Sequence, residues 1–203
     1  MTDVRHIVFD IGRVLVVWDP EIPYRTLIPD ADRRRWFLDN VTTSAWNVEQ
    51  DRGRPWAEAE AALIEQYPDE APLIRAFRER WSEMVPGLLP ETPAMMEALI
   101  DAGHDVTMLT NFAADTFEIA LQRFPVLTRP RGVTVSAEVG LIKPDRAIFD
   151  LHAERFGLDP AATIFFDDSA PNVEAANGAG WQAHLFTSPE QMRADLKAAG
   201  LAV

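Results

Sequence analysis

The chain has 203 residues, 47% hydrophobic and 25% charged, with 15 Pro and 10 Gly, a make-up that excludes collagen-like, fibrous and disordered classes and suits one core domain with a sizeable insertion. Lys and Arg number 19 against 32 Asp and Glu, a formal charge of -13, so the mean surface field repels nucleic-acid backbones, and a small anionic substrate calls for a local cation to reverse that field. A composition without cysteine removes disulfides, thiolate zinc sites, iron–sulfur clusters and a cysteine nucleophile, which leaves oxygen and nitrogen chemistry.

The first ten residues, Met1-Thr-Asp-Val-Arg-His-Ile-Val-Phe-Asp10, set an acidic residue on each side of a short apolar stretch, unlike a secretory signal, and no apolar run approaches the length of a membrane span. The expectation is a cytoplasmic protein, monomeric or homodimeric, with no nucleic-acid or membrane partner. Residues 6–10 read as a buried strand that stops at a carboxylate, and Gly12 then permits a tight turn. Between about Asp19 and Leu89 the pattern turns helical, in segments 33–38, 56–64 and 73–81 separated by Pro- and Gly-containing breaks. Thr92 is the candidate N-cap, with Pro93 at the first helical position, of an apolar helix that ends near Gly103.

A βα alternation follows: strand 105–110, helix 113–123, a loop with two prolines, short strand 132–136, helix 145–156, strand 163–167, helix 171–179, strand 182–186 and a C-terminal helix. Continuous apolar strands alternating with amphipathic helices predict an α/β fold, a doubly wound parallel sheet covered on both faces, with a helical cap inserted after the first strand. The expected division is a core of residues 1–18 and 90–203 and a cap of residues 19–89.

Ligands of such sheets bind at the carboxyl ends of the strands. Three strands end in reactive groups there, in Asp10, in Thr110-Asn111 and in Asp167-Asp168, and Lys143 lies in a loop that can reach the same edge. Each alone has an ordinary alternative, as a turn residue, a helix cap or a solvated charge. Together they assemble a carboxylate nucleophile, a hydroxyl and amide pair, an ammonium and an acidic pair, which is the equipment of phosphoryl transfer. Asp10 and Asp168 can supply the one or two carboxylates that Mg²⁺ needs, and that cation with Lys143 balances the charge of a phosphate approaching Asp10.

Four segments then resemble, in order, the motifs of the haloacid dehalogenase-like hydrolases: Phe9-Asp-Ile-Gly-Arg-Val-Leu15, Leu109-Thr-Asn111, Ile142-Lys-Pro-Asp145 and Phe165-Phe-Asp-Asp-Ser-Ala-Pro-Asn-Val-Glu-Ala-Ala176. The resemblance implies a Rossmann-like core and a cap. It also implies Asp10 as the nucleophile that forms an aspartyl-phosphate, Thr110 and Asn111 holding phosphoryl oxygens, and Lys143 neutralising charge. Asp168 would bind Mg²⁺ beside Asp10 and the Gly12 carbonyl, with Asp167 and Asn172 supporting the metal shell. Phospho-receiver domains use similar residues, but there the acidic pair comes early and the Lys last, the reverse of the order here.

Phosphatases of the family commonly carry a second Asp two positions after the nucleophile as general acid, where this chain has Gly12. A group of sugar-phosphate phosphatases similar in this respect has Gly there too, in a motif that continues to an Asp, which Asp19 matches. Glu49 and Asp51 are candidate substitute acids, set against the ordinary reading of such residues as solvated charge. The resemblance thus implies an Mg²⁺-dependent phosphatase acting on a small phosphorylated metabolite, with sugar phosphates among the candidates. One alternative is a 2-haloacid dehalogenase using the same Asp on carbon without metal. Against it, dehalogenases of the family typically have an aromatic residue in place of Gly12 and lack the paired Asp. A non-catalytic binding module on the same fold is the third reading.

Five of the six tryptophans, Trp18, Trp36, Trp46, Trp56 and Trp81, lie in or beside the insertion, where packing is their usual role. Trp46 is singled out as a substrate contact because the adjoining segment 47–53 is polar and ends in Gly, the profile of a loop facing the cleft. Arg25, Arg52 and Arg54 are weaker candidates for a second anionic group on the substrate. His6, His104, His152 and His184 lack metal-binding spacing.

Overall fold

In a computed structural model, residues 4–201 are described; residues 1–3 and 202–203, the two ends of the expected core, lie outside them. The elements in chain order are β1 (His6–Phe9), α1 (Glu21–Leu27), α2 (Ala31–Asn40), α3 (Ser44–Asp51), α4 (Trp56–Gln66), α5 (Ala71–Glu79), α6 (Trp81–Met84), α7 (Thr92–Asp101), β2 (Asp105–Thr110), α8 (Ala114–Arg123), β3 (Val133–Val135), α9 (Ser136–Val139), α10 (Arg146–Phe156), β4 (Thr163–Asp167), α11 (Ala170–Gly178), β5 (Gln182–Leu185) and α12 (Pro189–Ala198). All strand pairs are parallel, in the order β3-β2-β1-β4-β5, so β1 is central.

Side chains of a strand alternate between faces, and here both faces are apolar because both are covered. Ile7 and Phe9 join Val106, Met108, Ile164 and Phe166 in one cluster, which continues into the helical segment through Tyr24, Phe37, Phe77 and Trp81. Val8 points the other way, into a second cluster with Leu109, Phe149, Phe165 and Trp181. Thr107 is a polar residue in this buried sheet, and its hydroxyl meets Nε2 of His152 at 3.0 Å while Nδ1 of that ring meets Thr134 at 2.9 Å. Burial pushes the His152 pKa down to about 3, with the positive charges of Arg155, Lys143 and Arg131 adding to it, so the ring is neutral and structural.

Helices α1 to α6 fill the stretch between β1 and α7. Tyr24 packs on Phe37 with ring centroids 5.1 Å apart, and Phe77 lies 5.3 Å from Trp46 and 6.1 Å from Trp56. Two expectations differ locally. Thr92 is not the N-cap of α7: it is the first helical residue, and its hydroxyl donates to the Val14 carbonyl at 2.5 Å, so the side chain ties the helix to the loop after β1. Residues 47–51 are not loop but the last turns of α3, started by Thr43, whose hydroxyl accepts from the Trp46 N–H at 3.1 Å. The helix ends at Asp51, and only beyond it, at Gly53 with φ +108°, does the chain run as the expected loop.

Candidate active site

The sheet register brings the reactive residues together. Phe9 pairs with Met108 on one side and Phe166 on the other, and the Asp10 N–H extends the ladder by donating to the Phe166 carbonyl at 2.9 Å. Asp10 and Asp167 therefore leave adjacent strands abreast. A Lys143 side chain that is almost wholly buried reaches them from the loop before α10: its Nζ is 2.9 Å from Asp10 Oδ1, 2.6 Å from Asp167 Oδ2 and 3.0 Å from the Leu109 carbonyl. An ammonium has three N–H donors, and these three acceptors match them. Burial alone would lower the Lys143 pKa, but the charges of Asp10 and Asp167 outweigh it and raise the value above that of an ordinary lysine. Burial pushes the Asp10 carboxyl up to about 7; Lys143 pulls it back and the neighbouring Asp167 adds to the rise.

Asp167 has both oxygens engaged. Oδ1 accepts from the Ser169 N–H at 2.8 Å and from Asn172 Nδ2 at 2.9 Å, while Oδ2 takes the Lys143 ammonium. Asp167 and Asn172, expected around a metal, thus brace each other and Lys143. Asp168 is more open, with the Arg13 guanidinium 3.8 Å away, and its pKa is raised by burial and by Asp167. Asp10, Asp167 and Asp168 each offer an oxygen such that the three atoms lie within 4.8 Å of one another. Hard carboxylate oxygens at that spacing suit Mg²⁺, which is satisfied by one or two protein carboxylates and completes its shell with water and phosphate.

Asn111 and Thr110 behave differently. The Asn111 amide clamps the Lys143 main chain, accepting from its N–H at 2.9 Å and donating to its carbonyl at 3.0 Å. The Thr110 hydroxyl is buried and has no hydrogen-bond partner among the described residues, which leaves it free to donate to an incoming oxygen.

A cavity of about 90 Å³ opens over this edge, lined by Gly12, Val16, Trp18, Trp56, Trp81 and Phe112 on its apolar walls and by Asn47, Asp51, Asn111 and Thr116 at its polar points. A larger one of about 380 Å³ shares Trp18, Asn47 and Asp51 with it and continues to Arg13, Leu38, Thr42 and Phe77. Trp46 lines neither. It packs edge-on against Trp56 at 5.7 Å and its indole N–H points to the Ala59 carbonyl at 3.4 Å, so the tryptophans facing the cavity are Trp18, Trp56 and Trp81. Glu49 is exposed and lies 3.8 Å from Arg52; Arg25 pairs with Asp19 at 2.9 Å, and neither Arg52 nor Arg54 lines the cavity. Asp51 is the acidic group the sequence pattern undervalued. Burial pushes its carboxyl up to about 7, opposed by the Ala113 amide and reinforced by the charge of Asp10.

Residues 4–180 match the haloacid dehalogenase-like hydrolase family. The chain is 24% identical over 192 residues to the sesquiterpene phosphatase astK of Aspergillus oryzae, covering 88% of each sequence. In fold it is similar to the family enzyme bt-2542 of Bacteroides thetaiotaomicron, solved with magnesium and inorganic phosphate, with TM-score 0.70, 22% identity, and 91% and 94% of the two chains covered. It is similar as well to the L-2-haloacid dehalogenase of Xanthobacter autotrophicus with chloropropionic acid covalently bound, with TM-score 0.66, 16% identity, and 98% and 85% covered. A five-stranded parallel sheet with Asp10 at the end of its central strand, together with a match over most of its length, places the chain in the haloacid dehalogenase-like hydrolase family.

Proposed function

We propose that the chain is an Mg²⁺-dependent phosphatase of small phosphate monoesters that works through an aspartyl-phosphate on Asp10. The observation that carries this reading is the meeting of Asp10 with Asp168 and Lys143 beside the unpartnered Thr110 hydroxyl. Bound between Asp10 and Asp168, with the Gly12 carbonyl as a further donor, the cation would supply positive charge that keeps Asp10 ionised and offsets the substrate's negative charge. Lys143 holds Asp10 with one oxygen fixed and the other free to attack phosphorus. Thr110 donates to a phosphoryl oxygen, while Asn111 and Asp167 keep Lys143 in place. Water then attacks the phosphorus of the aspartyl-phosphate and regenerates Asp10.

Residues 19–89 serve in this reading as the cap that selects the leaving group. The mostly apolar, aromatic cavity walls favour an alcohol with an apolar face over one rich in hydroxyl groups, so sugar phosphates become one class to test beside isoprenoid and aryl phosphates. The sesquiterpene phosphatase among the relatives supports including an isoprenoid phosphate, and the magnesium and phosphate bound to a structural neighbour support metal-dependent phosphate chemistry.

A dehalogenase reading keeps the same nucleophile and is favoured by one feature, the apolar wall beside Gly12. Phosphate release from a panel of these esters with and without Mg²⁺, beside halide release from 2-chloropropionate, separates the two. Mg²⁺-dependent phosphate release supports the phosphatase; metal-independent halide release without it overturns that reading.

A further inference from the structure

Among the described residues, Asp51 is the only acidic one that lines the smaller cavity, which Gly12, two residues after Asp10, and Asn111 also line. It sits at the C-terminal end of α3 and is pinned there by the core. The Ser136 hydroxyl donates to the Asp51 carbonyl and also accepts the Phe112 N–H at 2.9 Å, so one side chain ties Asp51 to the loop that follows Thr110. Two residues on, Gly53 presses against α9 so closely that a Cβ there would lie 3.1 Å from the Ala137 carbonyl oxygen. Between them, Arg52 reaches Asp145 at 3.5 Å. The carboxylate itself is steadied by Asn47, whose Nδ2 donates to Oδ2 at 3.2 Å. A carboxyl group held this firmly in a largely apolar cleft is positioned for chemistry at the substrate.

The position two residues after Asp10 offers no such group, since Gly12 has no side chain. Taking the phosphatase reading as its basis, we propose that Asp51 is the proton donor to the leaving group, delivered from the helical segment in place of an acid on the core. As an oxygen of Asp10 bonds to phosphorus and the bond from phosphorus to the ester oxygen breaks, the Asp51 carboxyl gives its proton to that oxygen and releases a neutral alcohol. When water attacks the aspartyl-phosphate, the Asp51 carboxylate takes the water's proton as the bond from phosphorus to Asp10 breaks. Inorganic phosphate leaves and both residues return to their starting state. The raised pKa of Asp51 supports the first step by keeping it protonated near neutral pH.

The test is the dependence of kcat/KM on the acidity of the leaving alcohol, measured with saturating Mg²⁺ on alkyl, 4-nitrophenyl and 2,4-dinitrophenyl phosphates. Expected is a shallow dependence in the wild type and a steep one in Asp51→Asn, whose loss is about 10² to 10⁴-fold on the alkyl ester and under about tenfold on the dinitrophenyl ester, a leaving group stable without a proton. The ratio of two esters on one preparation cancels any difference in folded fraction. An equal loss on all esters, or a steep dependence already in the wild type, overturns the role of Asp51 and leaves the phosphatase reading standing. A wild type inactive on every ester overturns both.

Discussion

The ammonium of Lys143 lies 2.6 Å from Oδ2 of Asp167, and both side chains are almost completely buried. With Asp10 at 2.9 Å on the other side, the one cation keeps two buried carboxylates compatible. Breaking a buried pair by removing one partner is destabilising because it leaves uncompensated charge in a medium that solvates it poorly. Lys143→Met, which keeps the stem and removes the charge, is expected to lower the unfolding free energy by about 3–5 kcal/mol. Urea unfolding measures it, and a loss below about 1 kcal/mol would mean the triad is not held as described.

Asp168 and Asp167 are neighbours with separable roles. Asp168 is partly open beside Asp10, whereas both oxygens of Asp167 are used inside the protein. Asp168→Asn is expected to weaken Mg²⁺ binding at least about tenfold, judged against the usual effect of altering a metal site's surroundings, with the melting temperature little changed. Asp167→Asn is expected to lower the melting temperature. Isothermal titration with Mg²⁺ and thermal melts of both variants check the pair, and an unchanged titration for Asp168→Asn contradicts its assignment.

Much of this arrangement was legible in the sequence because it follows from strand ends. Residues 105–110 and 163–167 are strands with the bounds expected from their apolar runs, and each stops at its polar residue. The segments that misled are those where local pattern and tertiary contact disagree. The run 47–51 is polar enough to read as loop, yet it is helical because the Thr43 hydroxyl caps the helix and Gln50 is buried against the Trp46 carbonyl. Helix α1 carries Pro23 and spans seven residues, too short for a periodic signal. Asp51 looks like any acidic residue in a polar stretch; only the packing of α3 against α9 shows that it faces inward. Trp46 and Trp81 are alike in composition terms, and only the fold decides that the second meets the cavity.

Phe77 lies at the centre of the aromatic packing between α1, α3 and α4, touching Tyr24, Trp46 and Trp56. Phe77→Ala removes a nearly fully buried ring, and losses of about 3–5 kcal/mol are typical of that change. Chemical denaturation of the variant is the check. A loss under about 1 kcal/mol would show that the helical segment is loosely packed.

His152 gives a pH signature. Its folded pKa is near 3 and its unfolded value near 6.5, so the stabilisation from the neutral ring is complete above about pH 6.5 and declines as pH falls toward 3. The carboxyls of Asp10 and Asp51, both raised, act in the opposite sense, gaining stability as pH falls through 7, but they are common to wild type and His152→Gln and cancel in the difference. The stability advantage of wild type over the variant is expected to shrink by up to roughly 1.4 kcal/mol per pH unit between 6.5 and 4.5, read by urea unfolding at each pH. A difference independent of pH contradicts a neutral buried ring.

The most direct measurement of the central claim is acid-quenched single turnover with a ³²P-labelled phosphate monoester and Mg²⁺. Label should appear transiently on the protein, be released by hydroxylamine as an acyl phosphate is, map to the peptide containing Asp10, and be missing in Asp10→Asn. Full turnover with no protein-bound label, or label on another residue, would contradict the assignment of Asp10 as the nucleophile.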